Sequence, residues 1–152
     1  MEDRLLLSRA IVQWCSAKDH DRPYEGTNEI VLFYPFVRRG LTVPTFDFHW
    51  GLLHYWGIQL HHLTPNFIMH ISIFTHLCEA FLGIDPHFDI FYHLSHVLPQ
   101  HSQNNIAEVG GAGVQLHQGM EKKHMSHKLR CKVVDWKNGW FYVGNHEPYL
   151  SD

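Results

Sequence analysis

The chain has 152 residues, of which 45% are hydrophobic and 18% charged, and its formal net charge is −3 with histidines neutral. That length suits a single domain able to bury roughly two thirds of its unfolded surface, and the apolar content excludes disorder along the whole chain. The acidic balance argues against a polybasic nucleic-acid arm or a membrane-surface patch as the main activity, and no run reaches the about 18 apolar residues that a membrane span needs.

In chain order, Leu5, Leu6, Ile11, Val12 and Trp14 are compatible with a short amphipathic helix, and the polar stretch 18–28 reads as a loop. Glu2 and Asp3 ahead of the short leucine run 5–7 do not read as a secretory leader. Residues 30–36 (IVLFYPF) are β-branched and aromatic but carry Pro35, which suits an edge strand or extended segment. From 46 to 60, Phe48, Leu52, Leu53, Trp56 and Leu60 follow helical spacing, weakened by Gly51 and Gly57.

The next boundaries are sharper. Thr64 is a good N-cap and Pro65 occupies the first helical position, where its missing N–H costs nothing. A helix over 65–82 follows, with Phe67, Ile68, Ile71, Phe74, Leu77, Cys78, Phe81 and Leu82 on a broad apolar face. Gly83 is placed to close it in the left-handed conformation. Asp85 and Pro86 repeat the start signal for a helix over 86–98, so a helical hairpin is the central expectation. Further on, 100–105 is a polar linker, 110–113 a glycine-rich hinge or tight turn, and 114–116 a short strand. Asn138-Gly139 is a hairpin-turn dipeptide ahead of the aromatic run 140–143. The fold class is mainly α with a few short β-strands, an α+β arrangement. Residues 1–28 form an N-terminal helix and loop, and 29–150 form the domain.

Histidine is the unusual residue, with 15 copies against 12 lysines and arginines. Exposed imidazoles would be roughly three quarters protonated at about pH 6, so charge and binding should depend strongly on pH. His93 and His96 stand three apart on the expected third helix and are the candidate zinc pair, with His87 two turns earlier. His124 with His127 and His61 with His62 are further pairs. None joins a CxxC or HExxH pattern, and solvated or hydrogen-bonded histidines are the preferred reading. The cysteines Cys15, Cys78 and Cys131 lack metal or redox spacing, and their odd count points to reduced thiols in an intracellular setting, nuclear or cytoplasmic. Cys78 lies on an apolar face beside Glu79, which would raise its pKa, so an inert buried thiol is expected.

No GxSxG elbow occurs, and the glycine run 110–113 lacks both the GxGxxG spacing and a following Lys-Ser or Lys-Thr. Asp47, Glu79, Asp85 and Asp89 are the central acids, too few for a metal-dependent strand-transfer site once Asp85 serves as a cap. No enzyme and no cofactor are expected. One nucleic-acid candidate remains: Lys122, Lys123, Lys128, Arg130, Lys132 and Lys137 gather near Trp136 and Trp140, mixing cations with stacking rings.

The order of these motifs resembles a plant retroelement domain, the gypsy-type transposon family, retrotransposon-derived and loosely called transposase-like. Ile30-Val31-Leu32-Phe33 followed by Arg39-Gly40-Leu41-Thr42-Val43-Pro44 matches its opening, and 51–55 and 57–66 continue in register. Residues 71–74, 77–84 and 86–88 are the most specific stretch, and Trp136, Lys137, 140–142 and 145–148 resemble its tail. The resemblance implies no catalytic residues, an element-encoded protein, and a chain that normally continues past Asp152. Its matched positions are caps, glycines and core aromatics. Together these point to a non-enzymatic protein-interaction or assembly domain, with Trp50, Trp56, Trp136 and Trp140 as the interaction surface. The partner would be a second copy, another element-encoded protein or a host protein. The alternative is an accessory nucleic-acid-binding domain using segment 122–137.

Overall fold

A computed structural model describes residues 14–16, 29–41, 47–99, 108–120 and 133–144. Within them the fold is α+β, as the sequence implies. Strands β1 (Trp14–Ser16), β2 (Glu29–Phe33) and β5 (Trp140–Gly144) form one antiparallel sheet in the order β1-β5-β2, and β3 (Ser95–Pro99) pairs with β4 (Ala112–Leu116) in a second. Helices α1 (Tyr34–Arg38), α2 (Asp47–Trp56), α3 (Pro65–His76) and α4 (Phe88–Leu94) supply the rest, with a π-helical turn at Leu77–Leu82.

The edge-strand expectation for 30–36 holds in its first half. β2 lies at the edge of its sheet, pairing Ile30 with Val143 and Phe33 with Trp140. Pro35 then starts α1 instead of extending the strand, because proline has no N–H for a ladder but fits the first helical turn. Trp14, assigned to an N-terminal helix on spacing, stands in β1 opposite Val143. The remaining positions of that expected helix, and the polar segments 18–28 and 100–105, lie outside the described residues.

α2 stops at Trp56, short of the expected residue 60. Gly57 adopts φ +60°, and the bonds Gly57 N to His54 O and Ile58 N to Leu53 O close a Schellman motif. Thr64 caps α3 as read, its Oγ1 accepting from the Phe67 amide at 3.2 Å, and Gly83 closes the following turn at φ +64°. The second start signal is different. α4 begins at Phe88 with His87 as its cap, Nδ1 accepting from the Asp89 amide at 3.2 Å, while Asp85 and Pro86 belong to the connector. α4 also ends early, at Leu94. Ser95 is extended and opens β3, so the expected helix 86–98 is half helix and half strand.

The strand expected at 114–116 is β4, which begins two residues earlier at Ala112. Asn138-Gly139 does not turn a local hairpin. Asn138 closes a 3-10 turn (Trp136–Asn138), and β5 pairs with the distant β1 and β2.

The core has two aromatic centres. Phe33, Phe36 and Trp136 meet beneath the first sheet, with Phe33 edge-on to the indole at 4.8 Å between centroids. Phe48, Phe74 and Phe91 meet where α2, α3 and α4 converge, at 5.1–6.0 Å. Rings at these separations and tilts contribute beyond their burial. Gly110 joins the halves: it has φ +70°, its amide donates to the His61 carbonyl, and a Cβ there would collide with the Trp136 indole.

Candidate functional site

The four tryptophans expected to form an interaction surface are all half-buried against the core. Trp56 packs on Phe67, Phe88 and Phe91 at 5.6–6.1 Å. Trp136 is held by Phe33 and Phe36. The buried indole N–H of Trp140 has no hydrogen-bond partner among the described residues, and Trp50 lines the α2 side of the core.

The strongly exposed apolar side chains are different ones. Apart from Val134, 77% exposed, the leading group is Phe81 at 74%, Leu82 at 56% and Ile84 at 42%, all at the tip of the hairpin. Their positions follow from the π-helical turn. Its i→i+5 bonding widens the helix after His76, so residues that α-spacing would continue along the inward stripe of Phe67, Ile71 and Phe74 rotate outward. Cys78 alone in this turn stays buried. The broad apolar face expected over 65–82 is thus divided, with Phe67, Ile71, Phe74 and Cys78 buried and Phe81 and Leu82 exposed. A second exposed group lies on the α2–α4 side. There Tyr55 contacts Phe88 at 4.1 Å, and Tyr92 stacks on Phe88 at 5.9 Å.

Of the basic candidates, Lys122, Lys123, Lys128, Arg130 and Lys132 lie outside the described residues, as does the pair His124 and His127. Lys137 is exposed, with Nζ 5.6 Å from the Trp136 ring centroid. The glycine run is committed to structure: Gly110 and Gly111 donate their amides to the His61 and Glu108 carbonyls, and Gly113 lies in β4. Those two amides are therefore not donors for a phosphate.

His93 and His96 do not share a helix face. The chain turns extended at Ser95, leaving His93 exposed on α4 and His96 half-buried on β3. The ring that His96 meets is His117, with centroids 4.7 Å apart and planes inclined by 31°. His117 follows β4, 21 positions along the chain, and only the strand register brings the two together. His62 is buried, its Nδ1 accepting from the Gln59 amide at 3.0 Å, and meets the His61 ring edge-on at 4.2 Å. His49, on α2, is buried so deeply that its pKa is pushed down to about 4 by loss of solvation.

Cys78 matches its expectation: it is fully buried, and burial first, then the Glu79 carboxylate, raises its pKa. A thiol held in the protonated form is a poor nucleophile. Asp47, Glu79, Asp85 and Asp89 are all exposed, one each on α2, the π-helical turn, the connector and α4. Among the described residues, no three His, Cys, Asp or Glu side chains converge on a metal position, and no helix is long and apolar enough to cross a membrane.

No curated protein and no solved structure matches the chain. Residues 30–99 match a family model described as "Putative gypsy type transposon". The matched span runs from β2 to the end of β3, so it contains the whole helical hairpin with its exposed tip. The aromatic tail around Trp136 and Trp140, which entered the resemblance on sequence, falls outside it. Residues 30–99 of this chain are therefore similar to a gypsy-type transposon-related family, and that similarity resides in α1 to α4 and the strands at either end.

Proposed function

We propose that this chain is a non-enzymatic protein-interaction or assembly domain of a retrotransposon-derived plant protein, working inside the cell in the nucleus or cytoplasm. The observation that supports it is the tip of the hairpin, where Phe81, Leu82 and Ile84 present three large apolar side chains within four residues. Large apolar side chains exposed so close together in the chain are stabilised when a protein partner covers them. Self-association is the first occupant to test, with another element-encoded or host protein next.

The test is sedimentation velocity of the full chain beside a Phe81→Ser, Leu82→Ser double variant at matched concentrations. The expected result is a concentration-dependent dimer or larger species in the parent, lost in the variant while the helical circular-dichroism signal is retained. A parent that stays monomeric at high concentration, or a variant that associates equally well, removes this reading.

The nucleic-acid alternative has less behind it among the described residues. Lys137 is exposed, but the ring beneath it, Trp136, is engaged by Phe33 and Phe36 and is not an open stacking platform.

A further inference from the structure

The pairing of β3 with β4 creates a feature that neither strand holds alone. His96 lies opposite Gln115, and Ser95 opposite Leu116. One step further, the His117 amide donates to the Leu94 carbonyl at 2.8 Å, which continues the ladder. His96 and His117 are therefore diagonal neighbours on one face of the hairpin, within mutual reach, and their rings lie 4.7 Å apart.

Each ring has one nitrogen whose surroundings are defined. His117 Nε2 lies 3.1 Å from the Tyr92 carbonyl oxygen. A carbonyl can only accept, so Nε2 carries the proton and Nδ1 carries the lone pair. This is the arrangement that orients a metal-binding imidazole: one ring nitrogen tied to a backbone carbonyl, the other left as a donor to the ion. On His96, Nδ1 is buried and has no hydrogen-bond partner among the described residues. A buried ring nitrogen with no hydrogen-bond partner has its lone pair free for an ion in the tautomer that leaves it unprotonated.

We propose that His96 and His117 form a two-imidazole binding site for a divalent transition-metal ion of the zinc class. Imidazole nitrogen suits zinc, nickel and copper, at about 2.0–2.1 Å for zinc. Two protein ligands hold the ion across the two strands, and water fills the remaining positions. The site clips the end of α4 to β4, because Tyr92 and Leu94, which anchor His117, both belong to α4.

The test is a titration of the full chain with zinc chloride against a chromophoric chelator, with a thermal melt at each zinc concentration. One saturable site per chain is expected, weakened about tenfold or more in both His96→Ala and His117→Ala and unchanged in His93→Ala. The melting temperature should rise with zinc in the parent and stay level in His117→Ala. Zinc binding that survives intact in His117→Ala, or the absence of a saturable site in the parent, overturns the proposal. Gln115→His keeps the test open if either alanine variant loosens the hairpin, because it places a third imidazole directly opposite His96. Tighter binding in that variant supports the site; unchanged affinity counts against it.

Discussion

Residues 65–76 and 77–84 are adjacent, both rich in large apolar side chains, and they end on opposite sides of the solvent boundary. In α3 the side chains of Phe67, Ile68, Ile71 and Phe74 are at most 1% exposed, facing α2 and α4. In the π-helical turn and the residue after Gly83, Phe81, Leu82 and Ile84 are among the most exposed apolar groups of the described residues. The lesson is that apolar character creates a demand for burial, while burial itself needs an opposing surface at the right angle. α3 finds one in Phe48, Trp56 and Phe91. The tip, rotated by its wider bonding, does not find one within the described residues.

The contrast can be broken most strongly from the inside. Phe74→Ala removes the ring shared by Phe48 and Phe91 and should destabilise the fold by about 3–5 kcal/mol, read by chemical denaturation. A loss below about 1 kcal/mol would mean that this aromatic centre is loosely packed.

A pH titration sharpens the same comparison at a buried polar group. His49 has a folded pKa of about 4 against an ordinary 6.5, so the unfolded chain binds the extra proton between these values. Its contribution is fully present above about pH 6.5 and is lost as pH falls toward about 4, by roughly 3 kcal/mol in total. His49→Gln should therefore show a shallower loss of stability over that window than the parent, whatever its stability at neutral pH. Equal slopes in the two proteins would show that His49 is not the group responsible.

The smallest effect is expected at the tip. At concentrations where the parent is monomeric, Phe81→Ser with Leu82→Ser should alter unfolding free energy by no more than about 0.5 kcal/mol, because neither side chain is covered within the chain. A large destabilisation would mean that the tip packs onto something within the same chain, and the contrast with α3 would vanish.

Local chemistry was legible wherever a short stretch of chain acts on itself. The cap at Thr64, Pro65 at the first turn, left-handed Gly83, the edge strand with its proline and the inert Cys78 all follow from a few neighbouring residues. Misreadings arose where neighbours were poor guides. Ser95 and His96 continue a helical pattern, yet β4 offers them a ladder, so they are extended. Asn138-Gly139 carries a hairpin signature, yet β5 pairs with strands more than 100 positions away. Of the candidate site residues, the four tryptophans expected at an interaction surface lie half-buried against the core, and His96 was paired on spacing with His93 while its neighbour His117 was missed. Composition registers how much aromatic surface a chain has, and spacing along one element cannot register a partner on another.

By itself, then, the sequence determined the class of fold, the start of α3, the end of its continuation and the similarity to a gypsy-type transposon-related family. These rest on interactions within about one helical turn or on the identity of the residues. The tertiary structure alone decided which apolar groups face solvent, where α4 yields to β3, and which histidine meets His96. Each of those depends on a competition between local preference and a surface supplied by a distant part of the chain, and burial or a completed ladder outweighs the weak local preference.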